Sequence, residues 1–226
     1  MTQNPENNST TDEAVMPFTA HLAELRKRLA IIFSGIGIGA ICCFAFAEPL
    51  FAWISSPLAG YFEDAVLIGT GPAEAFIVKL KVAVTAGLVL TCPLTFYQLW
   101  LFIAPGLHEH ERKQVVPFVL ASTAFFLVGL SFCFYVVLPF ALDFFEHEFR
   151  SIGVAPQVKI GEYLGFAVKL LLVFGAIFEL PVITYFLARL GLVNHHWLTR
   201  NARYAILGVF VIAAILTPPI SLPSCY

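Results

Sequence analysis

Residues 29–47, LAIIFSGIGIGAICCFAFA, run for nineteen positions without a charged side chain. A helix rises about 1.5 Å per residue, so roughly 20 apolar residues cross a hydrocarbon core about 30 Å thick. Three further runs meet that length: 82–103, containing Pro93; 115–138, containing Pro117; and 164–188, broken by Lys169, Glu179 and Pro181. A fifth, 204–217, is shorter and spans only where the bilayer thins around it. Composition agrees. The chain is 59% hydrophobic and only 12% charged, with a mean hydropathy of +0.83, against about 25% charged residues in soluble domains. These features predict an all-α, polytopic membrane helical bundle with about five transmembrane helices.

The cationic residues set an orientation. With the amino terminus inside, the inner segments hold Arg26, Lys27, Arg28, Arg112, Lys113, Arg189, Arg200 and Arg203. The outer segments and their margins hold Lys79, Lys81, Arg150, Lys159 and Lys169. The bias places the amino terminus in the cytoplasm, and leaves 48–78 and 139–163 as outside loops able to fold back into a cap. The first twenty residues carry acids but no Lys or Arg, unlike a secretory signal. Residues 1–16 read as a polar cytoplasmic tail and 17–219 as one membrane domain. A helix is expected from Pro17 into the first span, with Phe18, Leu22, Leu25 and Leu29 on one stripe.

Few elements can carry chemistry. Glu24 stands off that stripe; it either pairs with Arg28 one turn on or presents an anion to the cytoplasm. The stretch 106–113, GLHEHERK, gathers six ionisable residues between two apolar runs. Glu109 and Lys113 there are spaced for an i,i+4 pair, and acids favour a helix amino terminus. His108 and His110 lack the H-E-x-x-H spacing of a zinc helix, because Arg112 stands where the second His belongs. Glu179 lies inside the fourth run, where a charged carboxylate costs about 2.5–3.5 kcal/mol. It serves a pathway, a partner or a wet concavity, or it is a neutral acid bonded to a neighbouring span. Pro181 two residues on is expected to kink that helix. The five cysteines have no metal or redox spacing and read as small buried hydrophobes. No nucleophile with a base, metal site, cofactor motif or nucleic-acid-binding tract is evident, so no enzyme is expected.

HLAELRKRL before the first span, FYQLWLFIAPGLHEHER between the second and third, FELPV in the fourth and LTPP closing the fifth resemble the TatC family. That family comprises multi-span receptors of the twin-arginine protein translocase. The resemblance implies a glove-shaped bundle with a concave face in the bacterial inner membrane. It implies binding of twin-arginine signal peptides and export of folded proteins driven by the proton-motive force. The implied partners are the single-span proteins TatA and TatB, other TatC copies and the lipid bilayer. Glu24 and Glu111 match the family's glutamates that receive the arginine pair, with Arg26, Arg28 and Phe102 on the same surface. Pro57, Pro93 and Glu179 match further positions of structural or functional weight. The family normally has six spans. Here 220–226 form an atypical tail, Ile220 replaces an acidic residue, and a sixth span is missing from the expected topology. The rival reading is a small secondary transporter or proton-linked channel using Glu179, though no paired repeats support it.

Overall fold

The structure, a computed structural model, describes residues 12–61, 67–103, 115–154 and 157–189. The fifth apolar run, the tail 220–226 and GLHEHERK lie outside the described residues. Seven α-helices follow in order: α1 (Asp12–Phe44), α2 (Ala47–Tyr61), α3 (Glu74–Leu90), α4 (Cys92–Ile103), α5 (Val115–Phe132), α6 (Leu138–Ser151) and α7 (Ile160–Arg189). Leu22–Phe44, Val115–Ser151 and Ile160–Phe186 are long and apolar enough to cross a membrane. The pair Glu74–Leu90 and Cys92–Phe102, bent by 57°, supplies a fourth span if it crosses as one.

These elements coincide with the four long apolar runs but differ from expectation in three places. The first helix starts at Asp12, ahead of Pro17. The second run breaks at Thr91: Pro93 takes the second position of α4, where no N–H is needed. The Thr91 hydroxyl donates back to the Gly87 carbonyl at 2.7 Å, satisfying the exposed end of α3. The third run continues past 138. Pro139 cannot supply an N–H, and the chain widens into a π segment, Cys133–Val137, before α6. There the Leu138 N–H reaches the Cys133 carbonyl, five residues back. Much of the expected outer loop 139–163 is therefore helix. The loop 48–78 likewise contains α2, with Pro57 inside it. The carbonyl that Pro57 cannot serve, on Trp53, accepts the Ser56 hydroxyl at 2.8 Å.

Two apolar clusters hold the bundle. One, including Ile54, Val82, Leu138, Leu142 and Leu164, joins α2, α3, α6 and α7 at the end of the bundle where α3 and α7 begin. The other packs Trp100, Phe118, Val119, Val182 and Phe186 between α4, α5 and α7, with Trp100 edge-on to Phe186. That first end is also stitched by polar bonds. The Tyr163 hydroxyl donates to the Ile54 carbonyl at 2.9 Å, and Ile68 bridges to Lys159 as a short parallel pairing. Glu74 accepts the Gly161 N–H at 3.0 Å. Lys79 meets Glu48 at 2.5 Å, and that hydrogen bond, then the ammonium's charge, holds the Glu48 carboxyl below its usual range. Many large apolar side chains, such as Phe33, Ile41, Leu120 and Phe140, remain exposed and face the positions lipid would fill. Cys92 and Cys133 are buried as expected, but Cys42 is exposed and Cys43 half-exposed on α1, and all four are free thiols.

Helix α1 joins neither cluster. Lipid removes the hydrophobic drive for helix pairing, so close van der Waals fit must supply it. Gly39 and Gly87 provide that fit. A Cβ on Gly87 would stand 2.4 Å from the Ala40 backbone nitrogen, and one on Gly39 would stand 3.0 Å from the Gly87 carbonyl. Replacing Gly87 with leucine forces the two backbones apart. The expected cost is about 1–3 kcal/mol or more, read as a lower thermal midpoint in detergent; an unchanged midpoint contradicts the close α1–α3 contact. Lys79→Gln is expected to return the Glu48 titration to the ordinary carboxylate range. The support that pair gives folding is full above the ordinary carboxylate pKa and lost as pH falls through the depressed folded value; the variant lacks that acid-range loss.

Candidate functional site

Two polar groupings interrupt the apolar bundle. The first links α1 to α4. Glu24 and Arg28 lie one turn apart, and the Arg28 Nε donates to Glu24 Oε1 at 3.0 Å while Nη2 bonds to the same oxygen. Its Nη1 reaches across to the Gln98 side-chain oxygen on α4 at 3.3 Å. The i,i+4 pairing is thus present, and a cross-helix anchor is added to it. Gln98 is buried among apolar neighbours, where an unpaired amide is costly, so the guanidinium answers a need on α4 as well as on α1.

The pairing does not exhaust Glu24. Both donors of Arg28 fall on Oε1, and Oε2 has no hydrogen-bond partner among the described residues. The Glu24 side chain keeps 34% of its surface exposed, while that of Arg28 keeps 19%. Glu24 is therefore a carboxylate oriented by one oxygen and open at the other. Arg26, two residues on and so turned to another face of α1, is exposed. Phe102 is half-buried on the last turn of α4, about one turn beyond Gln98. Glu111 lies outside the described residues, so no geometry relates it to Glu24; it follows in the segment that leaves α4.

The second grouping lies between α4, α5 and α7. Glu179 is only 6% exposed. The fully buried Ser122 hydroxyl of α5 meets its carboxyl and accepts the Trp100 Nε1–H at 3.3 Å. Among the described residues Glu179 Oε1 has no hydrogen-bond partner, and neither do the hydroxyls of Thr95 and Thr123. Three elements thus bring buried, under-satisfied polar atoms inside an apolar bundle. Pro181 supplies no N–H to the helix one half-turn further on, yet α7 continues through it to Arg189 as one element. Gln98, Ser122, Trp100 and Thr95 were not singled out from sequence. Their signal was there: Thr95 and Gln98 are polar interruptions inside an otherwise apolar run. Among the described residues no three His, Cys, Asp or Glu side chains gather as a metal would need; His108 and His110 lie outside them.

The model of the family described as "Sec-independent protein translocase protein (TatC)" matches residues 20–224. The chain belongs to the TatC family. A relative from Desulforapulum autotrophicum, a Sec-independent protein translocase protein TatC, is 44% identical over 209 residues, covering 92% of this chain and 77% of the relative. One from Helicobacter pylori is 40% identical, covering 88% of this chain and 76% of its own. A crystal structure of the twin-arginine translocase receptor TatC superposes with a TM-score of 0.80 at 33% identity, covering 89% of both chains. Membership makes this a multi-pass inner-membrane protein of the translocase rather than an enzyme.

Glu179 offers a direct test of whether its grouping serves stability or function. A buried polar atom left unpaired costs about 1–3 kcal/mol, and leucine fills a similar volume. Glu179→Leu is expected to raise the thermal midpoint in detergent while lowering export of a translocase substrate. A lower midpoint with unchanged export identifies a structural acid instead.

Proposed function

We propose that this chain is the translocase subunit that receives twin-arginine signal peptides, with Glu24 and Glu111 taking the arginine pair. The observation that carries the reading is the Glu24 carboxylate, held on one oxygen by Arg28 and open on the other. A guanidinium presents a planar fork of donors that suits a carboxylate, whereas lysine is a point charge. An incoming arginine can take Oε2 while Arg28 stays anchored to Gln98. Arg28 thus presets the carboxylate's direction, and Arg26 and Phe102 belong to the wider recognition surface. Glu111 supplies the second carboxylate from the segment that follows α4.

The positive-inside bias supports a cytoplasmic amino terminus, which sets both glutamates at the inner membrane margin. There the charged start of a signal peptide waits while its apolar core meets lipid. Residues 1–16 act as a polar tail and 17–219 as one membrane domain with five spans, a glove-like bundle whose concave face carries Glu179. Pro57 and Pro93 shape the outer helix and the α3–α4 bend around that face. TatA, TatB and further TatC copies are the partners, and the proton-motive force drives export of the folded cargo. Family membership sets aside the small-transporter reading.

Binding of a twin-arginine signal peptide to the detergent-solubilised chain tests the proposal, with a twin-lysine peptide as control. A hydrogen bond to a charged group contributes roughly 1.5–3 kcal/mol, so Glu24→Gln or Glu111→Gln is expected to weaken twin-arginine binding by about 10- to 100-fold. Glu111→Gln is also expected to abolish export of a twin-arginine reporter while the protein stays in the membrane. Equal affinity for both peptides, or normal export by that variant, overturns the assignment.

A further inference from the structure

A groove of about 700 Å³ opens in the outer half of the bundle, at the opposite end from Glu24. Leu58 of α2, Lys81 of α3, Phe145 of α6 and Lys159, Gly165 and Lys169 along the start of α7 line it. Its charge is one-sided: Lys81, Lys159 and Lys169 stand against Glu162 alone, three positive groups to one negative, a net +2. Even Glu162 is engaged, pairing with Lys159 at 3.2 Å. The nearby acids are engaged too. Glu74 accepts the Thr70 and Gly161 N–H groups, and Glu48 holds Lys79. Lys81 and Lys169 have no ion pair among the described residues.

Lys169 belongs to a membrane-spanning helix, and Lys81 to α3, which spans if the bent α3–α4 pair crosses as one. Lys81 lies seven residues beyond Glu74 and Lys169 nine beyond Ile160, or roughly 10 and 14 Å below the ends of those helices. Unpaired cations at such depth are disfavoured. Their stems can lie along apolar surface while the ammonium groups rise toward the headgroup level. The groove changes character along its length in the same sense. Gln157, Lys159 and Glu162 line its outer end, and Phe166, Leu170 and Val173 line its deeper part. Gly165 keeps the wall open, since a Cβ there would meet nothing within 4 Å.

We propose that this groove binds one anionic phospholipid, its phosphate between Lys81 and Lys169 and an acyl chain along Phe166, Leu170 and Val173. The reading is independent of signal-peptide recognition; the orientation proposed above only names the leaflet as the outer one. A phosphodiester supplies the missing negative charge, and the apolar floor selects an amphiphile over a free anion. A lipid seated there joins α3, α6 and α7 at a place where side chains leave the space unfilled.

Native mass spectrometry of the full chain in a neutral detergent, titrated with phosphatidylglycerol or phosphatidylcholine of matched acyl chains, tests this. Phosphatidylglycerol is expected to bind more tightly. Lys81→Gln and Lys169→Gln are each expected to weaken it by about fivefold, with Lys→Arg at both positions retaining it. Gly165→Leu is expected to remove the same binding with every lysine in place. Equal retention of the two lipids by the unaltered chain overturns the proposal. So does a preference that survives Gly165→Leu, which indicates diffuse surface attraction instead. Competition by soluble glycerol phosphate at the same concentration assigns the site to a free phosphate and overturns the lipid. Glu111→Gln, by contrast, is expected to lose peptide binding and keep the lipid, so the two readings fail separately.

Discussion

No water inside a bilayer can take over a backbone group that a helix leaves unpaired, and this constraint orders the whole structure. Prolines remove donors, and four of them are met by a local accommodation. Pro93 and Pro117 fall in first turns, where no donor is required. Pro139 is absorbed by the π segment Cys133–Val137. Pro57 is compensated by the Ser56 hydroxyl on the Trp53 carbonyl. The repairs also set direction: the 57° bend between α3 and α4 follows from a helix that ends at Thr91 and restarts around Pro93. Prolines that look like interruptions in the sequence are thus the points at which the chain is aimed.

Aim decides where polar groups meet. Because α4 turns away from α3, its Gln98 comes within reach of Arg28 on α1, and its Trp100 reaches Ser122 on α5. A straight helix over 74–103 would present different faces at those depths. The Arg28–Gln98 tie and the buried polar grouping around Glu179 therefore share one cause, the break in the second apolar run. Between α1 and α3 the contact is of another kind, backbone against backbone through Gly39 and Gly87. Small residues there let α1 approach without an apolar core, which leaves its other faces to lipid and its inner end to Glu24.

Much of this was legible in the sequence, and the gaps have physical reasons. Charge-free length located the four long runs, because hydrocarbon thickness fixes a helix's minimum span. Glu24 with Arg28 followed from helical spacing alone, and Glu179 from its cost at depth. Neither the break at Thr91 nor the helix continuing through Pro139 could be read, because a proline in an apolar run permits both outcomes and tertiary packing chooses. The outer helices α2 and α6 were hidden for a similar reason. Their apolar residues are stabilised by one another across the outer core, as with Ile54 and Leu142, and by the Tyr163 bond to the Ile54 carbonyl. Local sequence carries no trace of that partner. Gln98 and Ser122 escaped notice because a neutral polar residue in a span becomes informative only when its partner is known.

The two ends of the bundle differ in how completely they engage their acids, and that difference bears on what each can do. At the end where α3 and α7 begin, the acids at Glu48 and Glu74 are engaged, and α2, α3, α6 and α7 share one apolar cluster. Towards the other end, Glu24 keeps one solvent-facing oxygen without a partner among the described residues, and Glu179 keeps a buried one without a partner among them. Buried hydrogen-bonding capacity left unmet destabilises the free protein. The shared apolar cluster can carry that cost, because it fixes the helices whose other ends would otherwise relax and pair with one another. Rigidity at one end is thus the condition for receptiveness at the other.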